Sequence, residues 1–482
     1  MIKNLQRVLI KGGVLSPSEL KQIVEMAEKM GLDGIHFGSR QDIILPGIET
    51  DPALKKFFPS INLDSNLEYT VQNIVSSYVS ADIFASTPWL SGATYLYILE
   101  QFPYEPRLKI NIADARQQIV PLYTGQLNFV TSEEEDYWFL YVRLPHWASL
   151  QPYPVLVHTW DIGKVAQTIE AVYEEVQDVT ELFEEVNTEI DANNRTISTP
   201  LNVPFQAFPY YEGMNKMNIN QYWLGLYWRN NLYNLKFLKA MCNVCLECKI
   251  GKICLTPWKS FIVKGIHKKD KLAWEKLLGS FGINVRHSSL ELNWHLPLAD
   301  EEALELKRFI VRNFDQNDIS TYGLTFGIKS SHGEDFTSIV IEKNPVPQIV
   351  REFSIRPTYN VLYSENFDPN RRSYISYAQD IDRIELPGLL MELSQMYFKQ
   401  LGENEDNSID HTSSNTESLI DIKTYQCAEC FTIYDSRYGD ELQQIQPGIT
   451  FEQLPNSYSC PVCAAPKDSF VKKIEKESST AV

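Results

Sequence analysis

Two stretches near the end of the chain, Tyr425-Gln-Cys427-Ala-Glu-Cys430 and Tyr458-Ser-Cys460-Pro461-Val-Cys463, decide how its last part folds. Each is a Cys-x-x-Cys turn, which holds two thiolates close enough to share one metal ion. Two such turns facing each other make a closed tetrahedral site of four sulfurs, which suits iron or zinc. Spacing alone does not choose between the two metals. With every position filled by protein sulfur, no place remains for a substrate. Such a site can carry electrons or staple a fold, but it cannot bind and transform a molecule.

The residues between the turns bear on that choice. They include Tyr434-Asp435, Gly439-Asp440, Pro447-Gly448, Thr450-Phe451 and Leu454-Pro455. Taken with Cys460-Pro461-Val-Cys463, residues 423–470 resemble rubredoxin motif by motif. The resemblance implies a small domain with one iron on Cys427, Cys430, Cys460 and Cys463, passing one electron at a time between its ferrous and ferric states. Tyr425, Tyr434, Phe451, Tyr458 and Phe470 would then form an apolar shell that limits water and tunes the potential. Two positions depart from the pattern. Rubredoxins place glycine just after the second cysteine of each pair, where the turn wants left-handed backbone; here those residues are Phe431 and Ala464. A structural zinc knuckle in the same fold is the alternative.

The composition narrows the partners. The chain has 482 residues, 44% apolar and 12% aromatic, enough for several domains and a sizeable core. Its formal charge of −18 argues against non-specific binding to nucleic acid and against anionic membranes. An acidic surface suits docking onto a basic redox partner. The opening residues lack the apolar run of a signal peptide, and no stretch approaches transmembrane length. The 8 cysteines fall into two local clusters, which points to metal or core use in a reducing, cytoplasmic setting. There is no phosphate-binding glycine loop, nucleophile elbow, or flavin or nicotinamide fingerprint, so if the electrons come from a nicotinamide, another chain must supply that chemistry.

The remainder of the chain carries an internal repeat. A strand at Arg7-Val-Leu-Ile is followed by a helix start at Ser16-Pro17-Ser18-Glu19. Leu20, Ile23, Val24, Ala27 and Met30 recur at helical spacing, and Gly31 ends the helix. Strands Ile35–Phe37 and Ile43–Leu45 flank the turn Gly38-Ser39-Arg40-Gln41. The same pattern returns at one constant offset: Leu238-Lys239 falls on Leu20-Lys21, Ile253 on Ile35, Lys259 on Gln41 and Phe261 on Ile43.

This order, with Gln72-Asn73-Ile74 and Pro106-Arg107-Leu108-Lys109 downstream, resembles the ferredoxin-like half-domain that occurs twice in siroheme nitrite and sulfite reductases, over roughly residues 5–330. The expected fold is α+β: two related ferredoxin-like half-domain units with intervening α/β segments, plus the small iron domain. The expected boundaries are 1–215 and 216–401 for the units, 402–422 for a flexible acidic linker without Lys or Arg up to 421, and 423–473 for the iron domain.

The same resemblance casts Arg40, Arg107 and Lys109 as cofactor-binding residues, with Arg40 toward siroheme carboxylates and the other two toward a small oxyanion. Departures accompany it. Gln72 replaces an arginine, Gly38 a threonine, Trp258 stands where the second repeat might carry arginine, and no cysteine lies between Cys254 and Cys427. Three functions therefore stand side by side: an electron carrier serving nitrite or sulfite reduction, a siroheme reductase with a fused rubredoxin donor, and a zinc-knuckle scaffold.

Cys242, Cys245, Cys248 and Cys254 look like an iron–sulfur motif as a string. The repeat instead sets the first three on Val24, Ala27 and Met30, the inward face of a helix, where cysteine packs as a small hydrophobe. A second metal or iron–sulfur site and plain core packing are both open. Residues 163–190 predict one long acidic helix. Amphipathic helices are expected over 302–313 and 388–400, with strands around 324–328 and 338–341.

Overall fold

The computed structural model describes residues 5–46, 63–64, 71–203, 205–283, 291–329, 335–345, 356–408 and 424–472, apart from 431, 437–438, 441–442, 444 and 447–448. The chain divides into two compact units, Met1–Asn215 with Tyr222–Gly402, and Lys216–Gln221 with Glu403–Val482. The sequence boundary near 215 therefore separates two repeats that fold as one body.

The first repeat opens with β1 (Leu5–Val8), β2 (Val14–Leu15), α1 (Pro17–Lys29), β3 (Gly34–Phe37) and β4 (Ile43–Pro46). Helix α1 starts where its capping box predicts. Ser16 Oγ accepts from Glu19 N at 3.1 Å and Glu19 Oε2 accepts from Ser16 N at 2.7 Å, which satisfies two amides that the first turn leaves over. Gly31, with φ 71°, takes the left-handed position that stops the helix. Leu20, Ile23, Val24 and Ala27 form its buried face.

The segment that follows supplies β5 (Val75–Ser76), α2 (Gly92–Glu100), β6 (Ile110–Ala113), β7 (Leu127–Thr131), β8 (Tyr137–Val142), β9 (Val155–His158), α3 (Ile162–Val172), α4 (Val179–Glu189) and β10 (Asn194–Thr196). The single acidic helix expected over 163–190 is two. Asp178 leaves the helical region at φ −144° and its carboxylate caps the amides of Thr180 and Glu181 at 2.8 and 2.9 Å. A local cap of this kind competes with helix continuation and here ends it.

The second repeat has β11 (Gln221–Tyr227), β12 (Tyr233–Asn234), α5 (Leu235–Glu247), β13 (Ile253–Leu255), β14 (Ser260–His267) and α6 (Lys271–Ser280). It continues into β15 (Trp294–His295), α7 (Glu301–Gln316), β16 (Phe326–Lys329), β17 (Ile339–Lys343), β18 (Thr358–Ser364), β19 (Tyr374–Asp382) and α8 (Leu386–Ser408). Helix α8 runs into the acidic stretch expected as linker; residues 409–423 lie outside the described ones.

The two half-domains interlock. Strand β12 of the second pairs with β3 of the first, Tyr233 opposite Ile35. Strand β2 of the first pairs with β13 of the second, Ile253 opposite Leu15. β2 and β12 hold equivalent places in the two repeats, so each lends the same strand to the other. One apolar core results, holding Leu20, Val24 and Phe37 together with Phe237, Cys242 and Phe261.

The repeat also extends further than the half-domains. β5, β6 and β7 run parallel and β8 antiparallel to β7. β15, β16 and β17 likewise run parallel and β18 antiparallel to β17. Each half-domain thus carries its own mixed sheet of the same topology.

Buried polar groups fasten these layers. Gln41 Nε2 donates to the carbonyls of Ser76 and Leu255, both at 2.9 Å, and its Oε1 accepts from Ser76 N at 2.8 Å. One side chain therefore ties the first repeat's turn to its sheet and to the other repeat. Asn73 Nδ2 donates to the carbonyls of Ile10 and Arg40 at 2.8 and 2.7 Å. Arg7 and Asp42 form a buried ion pair at 2.7 Å.

Gln41→Ala would leave an amide and two carbonyls unpaired in the core, and should cost the body about 2–4 kcal/mol. Ser16→Ala should cost about 1 kcal/mol. Denaturant unfolding of the two variants, followed by tryptophan fluorescence, should rank them in that order; equal losses would show that Gln41 does not join the layers.

Candidate metal centre

The C-terminal module is built on β20 (Thr424–Cys427), β21 (Ile433–Asp435) and β22 (Phe470–Lys472), with β20 in the middle and both neighbours antiparallel to it. Cys427 closes the central strand and Cys430 lies in the turn after it. Cys427 N donates to the Thr432 carbonyl at 2.8 Å, which folds the first turn back on itself. In the second turn, Cys460 N donates to the Ala465 carbonyl at 2.7 Å and Ala464 N to the Cys460 carbonyl at 2.9 Å. Ala464 holds φ 60°, the left-handed conformation that the turn demands, despite its Cβ. Phe431 lies outside the described residues.

The four sulfurs converge within 4.8 Å of one another. Across the site, Cys427 Sγ lies 3.5 Å from Cys463 Sγ, and Cys430 Sγ lies 3.4 Å from Cys460 Sγ. A tetrahedral ion with metal–thiolate bonds of about 2.3 Å spaces its sulfurs about 3.8 Å apart, so the donor set fits one iron held by four cysteine thiolates. Bound there, iron would change charge by one electron without gaining or losing a ligand.

Cys427 and Cys460 are fully buried, Cys430 is half-buried and Cys463 is exposed. The aromatic residues expected around the site do pack there. Tyr425 stacks on Phe451 with ring centres 4.1 Å apart, and Phe470 meets Phe451 at 5.2 Å. Tyr458 and Tyr434 lie 5.7 Å apart. Their hydroxyls are satisfied away from the metal, Tyr434 by the Ile449 carbonyl at 2.7 Å and Tyr458 by Asp440 at 3.1 Å. The shell thus shows ring carbon to the site and keeps water to its open edge.

The other cysteine cluster is dispersed. Among the described residues only the C-terminal four converge as a metal-ligating group. Cys242 and Cys245 face the shared core from α5. Burial pushes the Cys242 thiol up to about 12 and raises Cys245 as well, so both are held as neutral thiols. Ile253 and Leu255 join that same core, and strand alternation turns Cys254 between them to the opposite face. There it lies near Lys264, whose ammonium donates to the carbonyls of Tyr78 and Ala81 at 3.0 and 2.8 Å. The period of the strand, which the string of cysteines conceals, keeps these thiols apart.

Arg40 and Arg107 bond to protein groups. Arg40 donates to Asn111 Oδ1 at 2.6 Å and to the carbonyls of Asn73 and Ile110 at 2.7 and 2.9 Å. Arg107 is paired with Glu170 at 3.4 Å, and the same carboxylate accepts from the backbone amides of Arg107 and Leu108. Lys109 leads into β6, its amide donating to Gln126. Arg40 thus ties its turn to β6, and Glu170 fastens the backbone ahead of β6 to α3. Gln41, Asn73 and Asn111 were not singled out by sequence as structural anchors. The signal lay in the repeat, which sets Gln41 at a turn between two strands.

Comparison with known proteins agrees with both parts. The Rubredoxin family profile matches residues 424–470, and the profile of the Nitrite/Sulfite reductase ferredoxin-like half domain matches residues 5–53. Rubredoxin-1 of Chlorobaculum tepidum is 45% identical over 53 residues, 11% of this chain and 77% of that protein. The probable rubredoxin HupI of Bradyrhizobium diazoefficiens is 40% identical over 55 residues, 11% of this chain and 80% of that protein. The structure of the NirA protein of Mycobacterium tuberculosis superposes with a TM-score of 0.65 at 14% identity, covering 86% of this chain and 82% of that one, a likeness of fold.

Protein expressed with ample iron should carry one iron per chain, with thiolate-to-ferric absorption that dithionite bleaches. Cys460→Ser should abolish or shift those bands; an unchanged spectrum, or zinc alone at the site, would refute iron as its metal. Ala464→Gly should relieve the left-handed strain and stabilise the module by about 1 kcal/mol, read from the temperature at which the colour is lost.

Proposed function

Because the chain belongs to the rubredoxin family through its C-terminal module, we propose that it is an electron carrier whose thiolate-bound iron delivers single electrons within a reductase pathway such as nitrite or sulfite reduction. The observation that carries this reading is the asymmetric burial of a closed sulfur site. Four protein ligands exclude substrate from the metal. With iron bound by Cys427, Cys430, Cys460 and Cys463, the two buried sulfurs and the aromatic shell would hold the site's geometry and keep reorganisation small. Cys463 and the neighbouring Val462, 68% exposed, leave one edge where a partner's redox centre can approach. Iron held there would exchange its electron through that edge.

The body contributes a reductase-like fold. In this reading it docks a partner protein, its acidic charge favouring a basic counterpart, and does not itself run a six-electron reduction. The commitment of Arg40 and Arg107 to internal partners supports that view. A second reading, a siroheme reductase with a fused rubredoxin donor, draws on the likeness of fold to the NirA protein over most of the body.

Protein made in cells that synthesise siroheme separates the two. The carrier reading expects rubredoxin-type absorption alone and no turnover of nitrite or sulfite with a reduced dye. It also expects faster electron delivery to a separate reductase, slowed as salt rises because charge steers the docking. Siroheme bands with dye-driven turnover would overturn it, and loss of that turnover in Lys109→Ala would then place Lys109 at the active site.

A further inference from the structure

The internal repeat offers a control on itself at one turn. Gln41 and Lys259 are equivalent residues, and both sit in the left-handed region, at φ 56° and φ 57°. Their side chains do equivalent work. Gln41 donates to the Ser76 carbonyl at the end of β5, and Lys259 Nζ donates to the Leu296 carbonyl just past β15. The surroundings differ. Gln41 is neutral and fully buried. Lys259 is a half-buried cation lining a cavity of about 150 Å³. Trp228, Trp258, Trp294, His36 and Arg229 line it too.

Asp42 and Asp300 favour the charge of Lys259 from a distance, but Asp42 is already paired with Arg7. Among the described residues no carboxylate forms an ion pair with it. Glu291, also on the cavity wall, is taken by Arg229 at 3.1 Å and Lys307 at 3.4 Å. Asp300 accepts from Ala303 N at 3.0 Å as the cap of α7. Burial accordingly pushes the Lys259 amine down to about 8. A cation removed from water and left without a counter-ion is costly, and a bound anion would offset that cost. An ammonium has three donors, and the Leu296 carbonyl accounts for one.

The other walls suggest what the anion is attached to. Trp258 is anchored by donation from its Nε1 to the Ile119 carbonyl at 2.7 Å, and Trp294 stacks on Phe326 with ring centres 4.9 Å apart. These indoles are held rigid, so their surfaces form a preorganised wall. A void of about 150 Å³ accommodates one benzene-sized ring. His36 Nδ1 lies 2.8 Å from the Asn231 carbonyl, to which it can only donate, and burial lowers its basicity. Its ring therefore adds a neutral face.

We propose that this cavity binds a single-ring aromatic carboxylate, the ring among the tryptophans and the carboxylate on Lys259. The site is built mainly from the second repeat with His36 from the first, its lining includes none of Arg40, Arg107 and Lys109, and it does not rest on the electron-transfer reading.

Calorimetric titration of the full chain with benzoate tests it, with acetate as the ring-less control. Saturable benzoate binding is expected, with acetate at least about tenfold weaker. Lys259→Gln installs the residue that the first repeat already carries at this turn, so the fold should survive, and benzoate affinity should fall at least about tenfold. Absence of saturable benzoate binding would overturn the proposal, as would acetate binding as tightly as benzoate; the unmodified chain alone decides both. Undiminished benzoate affinity in a folded Lys259→Gln variant would overturn the role of Lys259.

Discussion

The body depends on one reciprocal exchange: β2 completes the sheet of the second half-domain and β12 completes that of the first. Each strand is two residues long, so the exchange contributes few hydrogen bonds. Its effect is topological. Neither half-domain can close its sheet alone, and the helices α1 and α5 are brought onto one apolar core instead of two. A small α+β unit buries too little surface to be stable by itself. Merging two units removes that difficulty, and everything downstream is then held by the merged core.

Exchange also creates a buried seam, and buried seams need satisfied polar groups. Gln41 lies on it. Its amide reaches the sheet of its own repeat and the backbone of the other, so a single residue reports on two interfaces at once. The equivalent residue of the second repeat, Lys259, holds the same left-handed turn and also donates to a backbone carbonyl, but it carries a charge and lines a cavity.

The metal module solves a separate problem by separate means. Its apolar cluster is small, resting on Tyr434, Phe451, Tyr458 and Phe470 around Cys427 and Cys460. A core of that size gains much of its stability from the ion that its four thiolates bind, so folding and metal loading are one process. The aromatic rings then serve twice, as core and as dielectric shell. The body, by contrast, keeps its cysteines as apolar filler, and strand alternation alone separates Cys254 from Cys242 and Cys245.

The sequence by itself determined the chemistry that depends on local spacing. Two Cys-x-x-Cys turns fix four thiolates because a turn geometry is set by its own few residues, and the capping box at Ser16 fixes a helix start for the same reason. The internal repeat was legible too, since apolar periodicity survives divergence. Tertiary structure alone decided which elements share a core, because strand exchange between β2 and β12 leaves no mark on either segment's own pattern. It also decided what Arg40 touches, since Asn73, Ile110 and Asn111 arrive beside it from distant positions. Lys259, legible in the sequence only as the repeat equivalent of Gln41, lines a cavity in the fold, and the carboxylates near it have partners that only the folded chain assigns.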